Sequence, residues 1–166
     1  MTISVENESG VTIPEVDIYG TAEKVIRAAL DCVGCPYEAE VNLLITDNEN
    51  MREINLDKRG IDRATDVLSF PMMDFEAPAV FPDPLDAPGD YFNPETGELL
   101  LGDIVVNAEK VIAQAEDYGH GYVREYAFLI AHSMLHLTGY DHESPDDAAL
   151  MEKKQDVILD SLGISR

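Results

Sequence analysis

Positive charge is scarce in this sequence of 166 residues. Lys and Arg together number 11, against 33 Asp and Glu, and the formal net charge is −22. A field of that sign repels polyanions over roughly 8 Å at physiological salt. The total charge therefore argues against a nucleic-acid partner, unless the few cations are gathered in one place.

Long apolar runs are missing as well. No stretch reaches the ~18 consecutive apolar residues that a membrane helix needs. The first ten residues, MTISVENESG, contain neither the basic nor the apolar region of a secretory signal. We therefore expect a cytoplasmic protein that has no membrane partner.

Cysteine is limited to Cys32 and Cys35, in DCVGCPY. A C-x-x-C pair is compatible with a redox site or with half of a zinc site, but no second pair completes a four-thiolate site. The Gly-Cys-Pro sequence that follows Val33 is typical of the end of a helix. We predict that both cysteines are packing residues at a helix terminus.

Four of the eleven cations lie within twelve positions. They are Arg52, Lys58, Arg59 and Arg63. Such a cluster is compatible with a solvated helix end and loop. It is also compatible with a local anion-binding patch on an otherwise acidic protein.

Strand-like and helix-like segments are mixed along the chain. The strands are expected in TISVEN, EVNLLITD, DVLSF and LGDIVVN, with TISVEN at an edge. Helices are expected after the capping residues Thr21, Asp47, Asn107 and Ser144, and a long apolar helix is expected from Tyr122 to about Leu137. This mixture indicates an α/β or α+β fold with one small sheet, in a single domain over residues 1–166.

Residues 71–100 differ from the rest of the chain. They hold six of the nine prolines and seven acidic residues, and they hold no Lys or Arg. We predict a long acidic loop outside the core, within the same domain.

Histidine is rare, and its distribution is uneven. Three of the four histidines lie in HSMLHLTGYDH, residues 132–142, whereas His120 is expected on the surface at a glycine turn. His132 and His136 are four residues apart, so they share one face of the apolar helix. Gly139 can end that helix and turn the chain, which allows His142 to fold back.

Two buried imidazoles carry four ring nitrogens that need partners, and a metal ion supplies one partner for each ring. Three histidines at a tetrahedral metal leave the fourth position open, as catalytic zinc sites do. Zinc at such a site lowers the pKa of bound water to about 7. The pattern therefore predicts a catalytic metal centre rather than three unrelated histidines.

The histidine spacing also matches the metzincin proteases, H-E-x-x-H-x-x-G-x-x-H. Their glutamate, the general base, would stand at position 133, where this chain has Ser133. A serine is no base at neutral pH, so phosphodiester hydrolysis is favoured over peptide hydrolysis. Arg59 then becomes the candidate phosphate contact, because a guanidinium binds phosphate through two hydrogen bonds.

Three stretches of the chain, HSMLHLTGYDH, NLDKRGIDRATDVLSFP and LLGDIVVN, resemble motifs of the YbeY family of bacterial endoribonucleases, also called rRNA maturation factors. HSMLHLTGYDH resembles the family signature H-G-x-L-H-L-x-G-Y-D-H. NLDKRGIDRATDVLSFP resembles its motif N-x-x-x-R-x-x-D-x-x-T-[DN]-V-L-S-F-P, and LLGDIVVN resembles its L-G-D-I. The motifs occur in the family's order, and the resemblance runs from about Glu38 to Leu162.

The resemblance implies an α+β fold with one small mixed sheet of about four strands and five or six helices. It implies a zinc-dependent, single-strand-specific endoribonuclease that matures the 3′ end of 16S ribosomal RNA and acts in ribosome quality control. The implied partners are ribosomal RNA and the small ribosomal subunit with its proteins. The alternatives are a metzincin-like metalloprotease and a non-enzymatic ribosome-assembly module.

Site residues are carried over where the motifs match. His132, His136 and His142 correspond to the metal ligands, and Arg59 corresponds to a catalytic arginine beside the metal. Arg52, Lys58 and Arg63 are added as expected substrate-binding residues. Ser69 and Asp103 also match motif positions, but strand packing accounts for them equally well.

The chain departs from the family pattern in two places. Ser133 stands where the family usually has glycine, and we expect it to narrow the cleft slightly. The acidic loop 71–100 is longer than usual, and it is expected near the RNA path.

Overall fold

The computed structural model describes residues 1–87 and 89–164. Within them, four strands form one sheet: β1 (Thr2–Asn7), β2 (Ala39–Thr46), β3 (Val67–Pro71) and β4 (Leu99–Asn107). The five helices there are α1 (Ile18–Cys32), α2 (Asn48–Arg59), α3 (Ala108–Tyr118), α4 (Tyr122–Leu137) and α5 (Pro145–Ser161). This α+β architecture confirms the predicted fold class.

The strand order is β1-β2-β4-β3. The strands β1, β2 and β4 run parallel, and β3 pairs antiparallel with β4. The sheet is therefore mixed, as expected, and β1 lies at an edge as predicted for TISVEN.

Helices cover both faces of the sheet, so residues of opposite parity on one strand enter different cores. Leu43 and Ile45 of β2 lie in the main core with α1, α4 and α5. Leu44 and Val105 point the other way and meet Met51 of α2 in a smaller cluster. The consecutive apolar residues 43–45 of β2 and 104–106 of β4 follow from this two-sided burial.

The helix α4 runs through the middle of the main core. It packs against α1, α3, α5 and β3, and eleven of its sixteen residues are buried. Its bounds agree with the predicted helix from Tyr122 to Leu137. An apolar helix surrounded on all sides is the scaffold that carries His132 and His136.

Three of the four predicted helix caps are confirmed. Asp47, Asn107 and Ser144 each accept hydrogen bonds from backbone N–H groups of the first helical turn. The prediction for Thr21 is wrong, because α1 begins at Ile18 and Asp17 is its cap, accepting from the Gly20 N–H at 3.1 Å. The N–H of Thr21 is already engaged inside the helix, by the Asp17 carbonyl.

The cysteines lie at the C-terminal end of α1, as predicted. Both are half-buried and free, and both pack against the main core. The thiol of Cys35 is 3.4 Å from the Tyr37 carbonyl, and burial raises its pKa. A raised pKa makes the thiolate scarce at neutral pH, which agrees with a packing role.

The long acidic loop joins β3 to β4, and its last two residues, Leu99 and Leu100, belong to β4. The sequence predicted that the whole loop lies outside the core. That prediction is wrong at Met73, which is 5% exposed and belongs to the main core. The Ala79 N–H donates to the Thr138 carbonyl at 2.9 Å, and the Tyr37 hydroxyl donates to the Pro82 carbonyl at 2.6 Å. The first contact holds the loop beside the C-terminal end of α4, and the second holds it to the connection between α1 and β2.

None of the helices in the described part of the chain combines the length and the apolar character required to cross a membrane.

Gly102, the glycine of the L-G-D-I motif, sits where β4 passes β3 closely. Its φ is +143°, and a Cβ built there would lie 2.2 Å from the backbone oxygen of Phe70. The register between β2 and β4 also shifts beside it, between Glu40 and Val41. Both the backbone conformation and the close approach therefore require glycine.

We expect Gly102→Ala to lower the free energy of unfolding by about 3 kcal/mol or more, because a backbone oxygen cannot move away cheaply. Urea unfolding followed by circular dichroism measures this change. Gly121→Ala is the control, since no atom lies within 4 Å of its Cβ position and its φ is −70°. A loss at Gly102 as small as that at Gly121 contradicts the packing argument.

Candidate metal centre

The helix α4 and the turn after it bring three histidines together. The Nε2 atoms of His132 and His136 are 3.0 Å apart. One ring nitrogen of each of His132, His136 and His142 lies within 4.8 Å of those of the other two. His132 and His136 are half-buried, and His142 is exposed. The three predicted ligands thus converge, with one side of the cluster open to solvent.

Gly139 makes this convergence possible. Its φ is +98°, and a Cβ there would lie 2.7 Å from the Cβ of Phe75 in the acidic loop. The chain therefore reverses just beyond the last turn of α4, as the sequence predicted. The reversal places the Tyr140 carbonyl 3.0 Å from Nδ1 of His136.

The Tyr140 carbonyl fixes the tautomer of His136. A carbonyl oxygen only accepts, so Nδ1 of His136 carries the hydrogen and Nε2 holds a free lone pair. That lone pair points toward His132. A backbone carbonyl that orients a histidine in this way is typical of metal ligands.

Burial keeps the two helical histidines neutral. It is the main reason why the pKa of His132 falls from 6.5 to about 4, and repulsion from His136 and His142 adds to it. Burial also lowers the pKa of His136, although the Tyr140 carbonyl acts in the opposite direction. Neutral imidazole is the form that binds a metal, so the cluster is ready for one at neutral pH.

These pKa values predict that the metal-free protein loses stability on mild acidification. His132 is neutral when folded and titrates near 6.5 when unfolded, so below pH 6.5 the unfolded state binds more protons. We expect the free energy of unfolding to fall by about 1 kcal/mol between pH 7 and pH 5.5, and to continue falling toward pH 4. Urea titrations of chelator-treated protein measure it. His132→Gln should remove most of this pH dependence, and an unchanged slope in that variant would refute the assignment.

The cluster fits a metal of the zinc type. Two nitrogens ~2.05 Å from a tetrahedral zinc are roughly 3.3 Å apart. The separation of 3.0 Å between His132 and His136 needs only a small adjustment to reach that value. An all-imidazole donor set suits zinc, copper and nickel better than magnesium or calcium.

The histidines line a cleft of about 570 Å³. Ser69 of β3 and Phe75 of the acidic loop form part of its wall, and Arg59 at the end of α2 lines it too. The positive charge of Arg59 contributes to the lowered pKa of His136. The predicted metal ligands and the predicted catalytic arginine therefore face the same space.

The other predicted substrate-binding cations lie elsewhere. Arg52 forms a two-point ion pair with Asp62. Lys58 lies 3.6 Å from Asp57 and lines a separate cavity between α2 and the sheet. Arg63 is exposed after α2, and its carbonyl accepts from the side chain of Asn55. Their roles in substrate binding stay predictions.

Ser133 does not narrow the cleft, contrary to the expectation. It is fully buried on the side of α4 that faces β3. The hydroxyl of Ser69 donates to the hydroxyl of Ser133 at 2.9 Å. Ser133 therefore reaches the site only indirectly, through a cleft-lining residue of β3.

Asp141, Asp103 and His120 make local structural contacts. The Asp141 carboxylate accepts from the backbone N–H of His142 at 2.7 Å, so it orders the turn. Asp103 accepts from the side chain of Asn42 on β2 and lines the cavity between α2 and the sheet rather than the cleft. The ring of His120 packs against Tyr118, outside the histidine cluster.

Two contacts of the site were missed in the sequence. Gln155 of α5 places its side-chain nitrogen 2.7 Å from Nδ1 of His132. Phe128, one turn earlier on α4, stacks on the His132 ring at 6.2 Å. A signal for Gln155 was present, because it is a polar residue on the apolar stripe of α5, between Met151 and Ile158.

Comparisons with known proteins agree with this geometry. The family model described as endoribonuclease YbeY matches residues 3–163. The endoribonuclease YbeY of Agathobacter rectalis is 55% identical over 150 residues, which cover 90% of this chain and 91% of that protein. The endoribonuclease YbeY of Lachnoclostridium phytofermentans is 48% identical over the full length of both.

A protein of Thermotoga maritima solved in solution has the same fold. Its TM-score is 0.57 at 23% sequence identity, and the match covers 97% of this chain and 91% of that one. At that identity the likeness concerns the fold alone. The family model and the full-length relatives show more, and on them we conclude that this chain belongs to the endoribonuclease YbeY family.

Proposed function

We propose that this protein, an endoribonuclease of the YbeY family, depends on zinc and cleaves single-stranded RNA by metal-assisted hydrolysis of a phosphodiester. The observation that carries the proposal is one cleft in which three convergent imidazoles face an arginine. Membership of the endoribonuclease YbeY family supports the same activity.

His132, His136 and His142 would hold the zinc ion. When bound, zinc lowers the pKa of a water molecule and polarises a phosphoryl oxygen. The chain supplies the neutral imidazoles and, through the Tyr140 carbonyl, the fixed orientation of His136. The first feature follows from the burial of α4, and the second follows from the chain reversal at Gly139.

Arg59 would bind the scissile phosphate. The carboxylates of Asp66, Asp74 and Asp141 also line the cleft, and among its described lining residues Arg59 is the only Lys or Arg. A phosphate entering the cleft therefore meets one cation that can form two hydrogen bonds to it. Negative charge that develops on the phosphoryl oxygens in the transition state is stabilised by the same guanidinium.

The biological substrate that we propose is ribosomal RNA, cut at the 3′ end of the small-subunit RNA. The motifs shared with the YbeY family support this assignment. We also propose that the protein is cytoplasmic and that it contacts the small ribosomal subunit. The strong acidity of the chain is compatible with a protein that is brought to RNA by basic ribosomal proteins.

The test is cleavage of matched single-stranded and double-stranded RNA by protein purified without a histidine tag. We expect single-stranded RNA to be cut, cleavage to stop with a chelator, and zinc to restore it. A precursor of small-subunit RNA bound in ribosomal subunits should be trimmed at its 3′ end. Cleavage that a chelator leaves unchanged contradicts the metal mechanism.

The histidine spacing favours the metalloprotease alternative. Position 133 argues against it, because the residue that stands in place of the protease glutamate is a serine buried away from the cleft. Peptidase activity that is lost with a chelator and with His136→Ala would revive it. The assembly module gains support if metal-free protein still binds small subunits and restores growth to cells that lack the native protein.

A further inference from the structure

Gln155 is the one side chain of α5 that makes a hydrogen bond to the histidine cluster among the described residues. It is 5% exposed, in the last third of the chain and outside the cleft that holds Arg59. Its amide meets Nδ1 of His132, the ring nitrogen that faces away from His136. The partner of that nitrogen is coupled to the tautomer of His132, because a donor requires a lone pair on Nδ1 and an acceptor requires a hydrogen there.

In the structure the hydrogen bonds form a chain with one direction. The Gln155 amide nitrogen donates to Nδ1 of His132, so Nε2 of His132 carries the ring hydrogen. That N–H can donate to Nε2 of His136 at 3.0 Å, and Nδ1 of His136 donates to the Tyr140 carbonyl. Every ring nitrogen of the pair is satisfied without a metal.

A metal in the cluster requires the opposite tautomer at His132. Its Nε2 is the atom that faces His136, so Nε2 must present a lone pair to the metal. The ring hydrogen then moves to Nδ1, which becomes a donor and needs an acceptor. Gln155 can provide one, since half a turn of its terminal torsion exchanges Nε2 for Oε1 in nearly the same volume.

We propose that Gln155 is a positioning residue for His132 that changes from hydrogen-bond donor to acceptor when the metal binds. This inference rests on the proposed metal centre. An amide serves both states, whereas a carboxylate accepts only and an aliphatic side chain does neither. Gln155 thereby does for His132 what the Tyr140 carbonyl does for His136.

Space for this exchange exists behind the histidines. A second cavity of about 320 Å³ lies between α4 and α5 and is lined by His132, Gln155, Glu152 and Asp156. When Oε1 faces His132, the released NH₂ group turns toward this polar cavity, where carboxylates or water can accept from it. The exchange therefore leaves no amide hydrogen stranded in the core.

The test compares zinc affinity in three variants by competition with a chromophoric chelator. Gln155→Leu should weaken zinc binding by about 10- to 100-fold, as expected on removal of the partner of a ligating histidine. Gln155→Glu retains a hydrogen-bond acceptor for His132 and should bind zinc with an affinity near the native value. Lys154→Leu places the same apolar side chain one position earlier on α5 and should bind zinc like the native protein.

Ring ¹⁵N spectra of His132 provide a second measurement. Metal-free protein should carry the hydrogen on Nε2, and zinc-loaded protein should carry it on Nδ1. The proposal is overturned if Gln155→Leu binds zinc with native affinity, or if Gln155→Glu or Lys154→Leu loses as much zinc affinity as Gln155→Leu does. It is also overturned if the tautomer of His132 is the same with and without zinc. Native protein that binds no zinc would overturn the proposed metal centre as well, so the two failures are distinguishable.

Discussion

Replacing His136 by alanine should remove the metal from the protein and abolish RNA cleavage. Elemental analysis of native protein without a histidine tag should find about one zinc per chain, and His136→Ala should retain almost none. His136 is central to the cluster, since its Nε2 faces His132 and its Nδ1 is held by the Tyr140 carbonyl. Loss of one of three protein ligands leaves two, too few for a stable zinc site.

The expected loss of cleavage is on the order of a thousandfold or more, because a bound metal contributes several kcal/mol to the transition state and each 1.36 kcal/mol is a factor of ten. His120→Ala is the matched control, since His120 lies outside the cluster. It should keep the zinc and the activity. If the native protein lacks stoichiometric metal, zinc titration followed by thermal melting tells weak binding from none, because a ligand of the native state raises its stability. Equal zinc content in native protein and His136→Ala would contradict the site.

Reversing the charge at Arg59 should reduce RNA cleavage while the zinc content stays native. We expect Arg59→Glu to lower kcat/KM by about 100-fold or more, the usual effect of removing one donor to developing negative charge. Arg59 is an exposed residue at the end of α2, so its replacement leaves the core unchanged. A steady-state assay on single-stranded RNA, with parallel metal analysis, measures both quantities.

The control for Arg59→Glu must carry the same change of charge. Arg27→Glu, on the exposed side of α1, alters the net charge equally and lies outside the cleft. It should reduce cleavage only slightly, through long-range repulsion that salt screens. The kcat/KM of Arg59→Lys should lie between that of the native protein and that of Arg59→Glu, because an ammonium retains the charge but not the two-point contact. Native activity in Arg59→Glu would show that the phosphate role is wrong.

The sequence by itself determined the elements whose signals are local. Side-chain alternation identified β2, and short side chains marked the caps Asp47, Asn107 and Ser144. The apolar residues 127–137 indicated a buried helix. Helical periodicity also placed His132 above His136, and Gly139 marked the turn toward His142. Each of these inferences depends on a few consecutive residues, which is why it could be read without a fold.

The tertiary structure alone decided which distant residues meet. Lys58 and Ser133 are next to site residues in the sequence, yet Lys58 lines another cavity and Ser133 is buried in the core. Arg52, from the same cluster of cations as Arg59, pairs with Asp62. The tertiary structure also brought Gln155 of α5 to His132, 23 positions earlier. Contacts of this kind depend on how helices pack against a sheet, and packing is set by the shape of the whole core rather than by any local pattern.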